Sequence, residues 1–130
     1  MRWPHPAPNE VSPTAATALP AHPWITRRKL DVSEYRRMAE AGILGPEDRV
    51  ELIEGELVET APIGGHHIGT VNRFNRLLVR AAGDRAVVSV QNPVRLDDRS
   101  EPEPDLALLR PRADGYFGAK PTPADVLLPI

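Results

Sequence analysis

The sequence predicts an α+β or α/β domain, a mixed sheet with helices packed on it. Three observations predict it: a capping box ahead of a short helix, an alternating run folded about Glu54-Gly55, and a long stretch at helical spacing followed by short apolar strands. The elements follow in chain order.

Residues 1–28 form one compositional block. Pro4, Pro6, Pro8, Pro13, Pro20 and Pro23 forbid a helix or a central strand, with Ala and Thr between them. This predicts a disordered or extended tail, in which Trp3 and Trp24 are exposed aromatics. The folded domain is expected over 29–130. It opens with Asp31 as N-cap and Glu34 at the third helical position. A helix follows to about Ala41, and Gly42 stops it.

Arg49 to Thr60 predicts a β-hairpin, in which Gly55 supplies the positive φ of a tight turn. Pro62 to Gly65 is a loop. A helix then runs from about His66 to Ala82, with Ile68, Val71, Phe74, Leu78 and Ala81 as its apolar face. Arg73, Arg76 and Arg80 fall on one stripe on the other side. Strands are expected over Ala86 to Gln91, Val94 to Leu96, Asp105 to Leu109 and Asp125 to Leu128, joined by turns.

Composition excludes several classes of function. With no cysteine there is neither a disulfide nor a thiolate metal site, which is compatible with a reducing cytoplasm. No apolar run approaches the roughly 20 residues that span a bilayer, so no membrane partner is expected. A net charge of −2 excludes a broadly basic nucleic-acid binder, so any DNA contact must use a local patch.

Four groups of residues could carry chemistry. In Glu101-Pro102-Glu103-Pro104-Asp105, the proline holds the preceding residue extended and presents Asp105 at a rigid strand start. Such a carboxylate suits Mg²⁺, which takes one or two protein carboxylates plus water and phosphate oxygens. Taken alone, the pentapeptide is more simply read as an acidic turn before a strand. Glu51, Glu54, Glu56 and Glu59 crowd the hairpin and need water or a cation between them. Glu51 is the candidate, because it lies inside a strand; a solvated hairpin face is the plainer account. His66 and His67 open the long helix about 100° apart, so they cannot pair on one metal, though one could orient a phosphate or a carboxylate. Arg73, Arg76 and Arg80 could contact phosphates, or form an ordinary solvated face.

The order of these pieces carries a resemblance. The run Asp-Val-Ser-Glu-Tyr-Arg-Arg-Met-Ala-Glu-Ala-Gly-Ile-Leu, then Arg-Val-Glu-Leu-Ile-Glu-Gly-Glu-Leu-Val-Glu, the His pair, Pro-Val-Arg-Leu and Glu-Pro-Glu-Pro-Asp-Leu resembles the Uma2 family of the PD-(D/E)XK nuclease superfamily, bacterial proteins, over about residues 30–128. The resemblance implies a restriction-endonuclease-like core and Mg²⁺- or Mn²⁺-dependent hydrolysis of DNA phosphodiesters in the cytoplasm. It is compatible with a homodimer. It implies catalytic and metal-binding roles for Asp105, in the Pro-Asp element, and for Glu51. It also implies a role for either His66 or His67.

The resemblance further implies a metal-binding glutamate and a lysine after the strand begun by Val126. Here that strand reads Val-Leu-Leu-Pro-Ile, and neither has a counterpart in the 130 residues. The expectation is a domain incomplete at its C-terminus and inactive as it stands, or else a catalytically dead remnant that binds DNA or a partner.

Overall fold

The computed structural model describes residues 22–61 and 64–130. The proline-rich segment expected over 1–28 therefore lies outside the described residues as far as residue 21, with Trp3, as do Pro62 and Ile63 of the expected loop.

Local chemistry builds the first three elements. Helix α1 spans Val32–Glu40 with a full capping box: the Asp31 carboxylate accepts from the Glu34 backbone at 2.7 Å, and the Glu34 side chain accepts from the Asp31 backbone at 3.0 Å. Gly42 follows at φ 76°. Strands β1 (Val50–Ile53) and β2 (Glu56–Glu59) pair antiparallel about Glu54 and Gly55, both at positive φ, as a tight two-residue hairpin turn requires.

Glycine is needed at position 55 for a second reason. A Cβ there would stand 2.8 Å from the Lys29 Cβ and 3.0 Å from the Leu30 carbonyl oxygen. The turn is stitched between two segments: Leu30 donates to the Gly55 carbonyl at 2.9 Å, and Gly55 donates to the Arg99 carbonyl at 2.7 Å.

Helix α2 spans Gly65–Ala82 and packs on β3 (Val87–Val90). Strand β4 (Leu106–Leu109) is central in a second, three-stranded sheet of order β3-β4-β5, where β5 is Val126–Pro129. All the described strand pairs are antiparallel, and the domain is α+β. Central position explains why Leu106, Ala107 and Leu109 are buried on both faces of β4.

Pro129 fits within β5 because β5 is an edge. Ile130 and Leu106 exchange both backbone hydrogen bonds, so Pro129, one residue away, turns its donor-less nitrogen outward and leaves the ladder whole.

Two expectations are corrected. Val94 to Leu96 is not a strand: after Pro93 it runs as irregular chain, although Val94 donates to the Pro102 carbonyl and Leu96 to the Ser100 carbonyl. The apolar face of α2 is also rotated from the expected one. The less exposed residues are His67, Val71, Asn75, Leu78 and Ala82, whereas Ile68 and Phe74 are 51% and 46% exposed. The helix meets β3 along a line that includes polar residues, because what covers a helix face is decided by the neighbouring element.

The two sheets are joined by a residue the sequence disguises. Glu101 lies in the acidic, proline-containing stretch that predicts a solvated turn, yet its side chain is wholly buried. Its backbone bridges to β1, donating to the Leu52 carbonyl at 2.8 Å, and Leu52 is itself fully buried. Its carboxylate contacts the Lys120 ammonium, and the Arg36 guanidinium of α1 lies 3.8 Å away. Three distant segments thus meet on one buried charge.

Candidate functional site

The candidate site is a cleft between the β1–β2 hairpin and the start of β4. It is lined by Arg49, Val50, Glu51, Thr60, Gln91, Glu103 and Asp105, together with Pro46 and Asp48. Each wall has a local cause. The hairpin turn sets the register that places Glu51 on β1, opposite Val58. Pro104 restrains Glu103 and the chain bends at Asp105, and the two carboxylates border the same cleft. Gln91 leaves β3 at φ 49° and donates its backbone N–H to the Asp105 carbonyl at 3.0 Å, fixing the strand start from the other side.

The carboxylates feel one another. Burial pushes the Glu51 carboxyl above the ordinary range, and the charges of Glu103 and Asp105 push it further; a hydrogen bond from the Glu103 backbone and the nearby Arg49 oppose this. Burial likewise raises Glu103, against Arg49. Tyr35 of α1 stands close by, donating its hydroxyl to the Val50 carbonyl at 2.8 Å. Its phenol is raised by burial and by the charges of Glu103 and Glu51. A cleft in which carboxyls resist ionisation is one in which a cation is favoured.

Asp105 has a partner on α2. The Nε2 atom of His67 lies 2.9 Å from the Asp105 Oδ1. An ionised carboxylate only accepts, so Nε2 carries the hydrogen and donates it. His66 points elsewhere: it is exposed, and its carbonyl accepts from the Thr70 hydroxyl at 2.8 Å. Of the expected residues, the fold therefore brings together Glu51, His67 and Asp105. His66 stays apart. Arg73, Arg76 and Arg80 are exposed along α2 and make no ion pair among the described residues.

A family model described as "Uma2: Putative restriction endonuclease" matches residues 32–130. The chain belongs to the Uma2 family. It is thereby a member of the PD-(D/E)XK nuclease superfamily, and the α+β architecture with a flanking helix is consistent with a restriction-endonuclease-like core. No curated protein matches the chain. Uma2 membership suggests nuclease activity, implies DNA as the partner and implies a divalent metal. Among the described residues no helix is long and apolar enough to cross a membrane, and no three His, Asp or Glu side chains are grouped to hold a metal ion.

The sequence passed over Glu103. The available signal was its spacing, a carboxylate two residues before Asp105 in a proline-held run.

Proposed function

We propose that this Uma2 protein is a metal-dependent DNA endonuclease whose cleft binds one divalent cation, Mg²⁺ or Mn²⁺, through Glu51 and Asp105. This reading departs from the expectation of an inactive chain by taking these two carboxylates as a sufficient metal-binding set. The observation that carries this reading is the approach of two carboxylates from elements more than fifty residues apart in sequence into one cleft, with the Glu51 carboxyl held above its ordinary range.

The donor set fits the ion. Mg²⁺ is a hard cation that takes oxygen ligands and is commonly held by one or two carboxylates, with water and phosphate oxygens completing the shell. When bound, the cation supplies Lewis-acid polarisation of a phosphodiester and neutralisation of the charge that develops on it. This chain's own residues do the rest. His67 orients the Asp105 carboxylate through its Oδ1. Glu51 contributes a second charge from a strand whose register is set by the Gly55 turn. Glu103 adds a third negative charge at the rim, which attracts the cation and repels unneutralised phosphate. DNA as substrate is in keeping with a cytoplasmic protein, and a homodimer would present two such clefts to the two strands.

The test is nicking of supercoiled plasmid with Mg²⁺ or Mn²⁺. Metal-dependent nicking by the wild-type chain that disappears in Asp105→Ala and in Glu51→Gln supports the reading. Nicking that survives Asp105→Ala would overturn it.

A second reading has its own observation. The exposed, unpaired Arg73, Arg76 and Arg80 lie along one helix and suit phosphate contacts in a module that binds DNA without cutting it. It expects salt-dependent binding with no nicking at any metal concentration. The triple Gln variant should lower the salt slope of binding by roughly 3, one for each phosphate contact.

A further inference from the structure

The strongest feature outside the cleft is the loop between β4 and β5. At its tip Phe117 is 98% exposed. An isolated exposed apolar residue calls for no explanation in itself. The construction beneath this one does.

The loop is held from several sides. The Asp114 carboxylate accepts from the backbone of Tyr116 and of Gly118, both at 3.2 Å, and from the Arg112 Nη2 at 3.0 Å. The same guanidinium donates to the Ala119 carbonyl at 2.8 Å, closing the loop on itself. Phe117 donates its own N–H to the Asp114 carbonyl at 3.0 Å. Tyr116 is folded back: its hydroxyl donates to the Arg110 carbonyl at 2.6 Å, and the Arg112 guanidinium lies 4.0 Å from its ring centroid. To achieve this, Tyr116 adopts φ 67°, a conformation that a bulky residue avoids. One aromatic is therefore turned inward at the expense of backbone strain, and the next is turned out.

The approach to the outward ring is open. A Cβ built on Gly115 meets nothing within 4 Å, and one on Gly118 meets only the Asp114 carboxylate, at 3.4 Å. Phe117 is flanked in the chain by Tyr116, which is folded back, and by Gly118, so the tip presents one flat ring as its exposed apolar group. That is too little apolar area for a protein interface, which buries roughly 800 Å² on each partner. It is sufficient for one planar ring to stack on, and every nucleobase has such a face.

We propose that Phe117 is a base-stacking residue, presented by a pre-ordered loop to an unpaired or unstacked nucleobase of the DNA. The inference rests on the DNA reading above and deepens it, because it names which part of the DNA this surface takes. Arg110, at the base of the loop, adds a positive charge there, its Nε donating to the Ala124 carbonyl at 3.0 Å.

The experiment is binding of a labelled single-stranded DNA oligonucleotide by the full chain, followed by fluorescence anisotropy across a salt series. Three variants are compared with wild type: Phe117→Ala, Phe117→Leu and Phe117→Trp. Phe117 is exposed, so all three should keep the wild-type melting temperature. Loss of stacking should weaken Phe117→Ala by about tenfold without changing the salt slope. Phe117→Leu should be equally weak, since it is apolar but not planar, and Phe117→Trp should bind at least as tightly as wild type. Equal affinity of Phe117→Ala and wild type overturns the inference while leaving the DNA reading intact. So does a Phe117→Leu variant that binds like wild type, which would make the contact a greasy wedge. No binding by the wild-type chain overturns the inference; plasmid nicking retained in that case leaves the DNA reading standing, and nicking lost as well overturns both.

Discussion

The imidazole of His67 and the carboxylate of Asp105 meet at 2.9 Å, joining the first turn of α2 to the first residue before β4. The contact assigns different roles to two adjacent histidines. A partner that orients a metal-binding carboxylate is commonly worth 10- to 100-fold in metal affinity or activity. His67→Ala is therefore expected to reduce nicking by about that factor, with KM for the metal raised, and His66→Ala to leave it unchanged. Metal titrations of plasmid nicking check this, and equal losses in both variants would refute the assignment.

The carboxyl pair makes stability depend on pH in a stated direction. Burial raises Glu51 and Glu103 above 4.5, so the folded chain holds these protons to higher pH than the unfolded chain does. Their favourable contribution is then complete below about pH 4.5 and is lost as pH rises through the folded values. Glu51→Gln removes one such group. Because Glu51 is only half-buried, the expected gain is modest, roughly 2–4 °C in Tm at neutral pH, falling to nothing at about pH 4. Thermal melts of both proteins across pH check it. A variant less stable than wild type at neutral pH would show that the repulsion is already relieved.

The buried charge between the sheets is expected to be sensitive to loss of one partner. Burial lowers the Lys120 ammonium, and Arg36 and Arg95 lower it further; its partner is the buried Glu101 carboxylate. Replacing Lys120 with Met leaves the Glu101 carboxylate buried with Arg36 alone, at 3.8 Å. Breaking a buried pair costs about 3–5 kcal/mol; since Lys120 is partly exposed, about 2 kcal/mol is expected here. Urea unfolding measures it, and Lys120→Met with Glu101→Leu should recover part of the loss.

Gly55→Ala tests the junction of the hairpin with Lys29 and Leu30. The added methyl meets the Lys29 side chain at 2.8 Å and the Leu30 carbonyl oxygen at 3.0 Å, at φ 79°. The positive φ and the clash together are expected to cost about 2–3 kcal/mol. A chemical-denaturation difference below about 0.5 kcal/mol would mean that the hairpin shifts freely, and that the placement of Glu51 does not depend on this contact.

Much of this protein was legible from the sequence by itself, and the legible parts are local. Asp31 and Glu34 cap α1 because their spacing matches one turn of helix. Gly55 turns the hairpin because the positive φ needed there is open to glycine, and Glu54 is carried to φ 50° with it. The apolar run after Asp105 forms β4, which begins at Leu106, one residue later than expected. Tertiary packing decided the rest. Two histidines about 100° apart on a helix look alike until β4 arrives beside one of them. Glu101 looks like a solvated turn residue until β1, α1 and Lys120 close around it. Val94 to Leu96 carries a strand's residues and forms none, and α2 buries a line through His67 and Asn75 in place of Ile68 and Phe74. Backbone preferences act over a few bonds and are written in neighbouring residues. Burial, charge pairing and the meeting of Glu51 with Asp105 act between segments dozens of residues apart, and exist only once the sheets have closed.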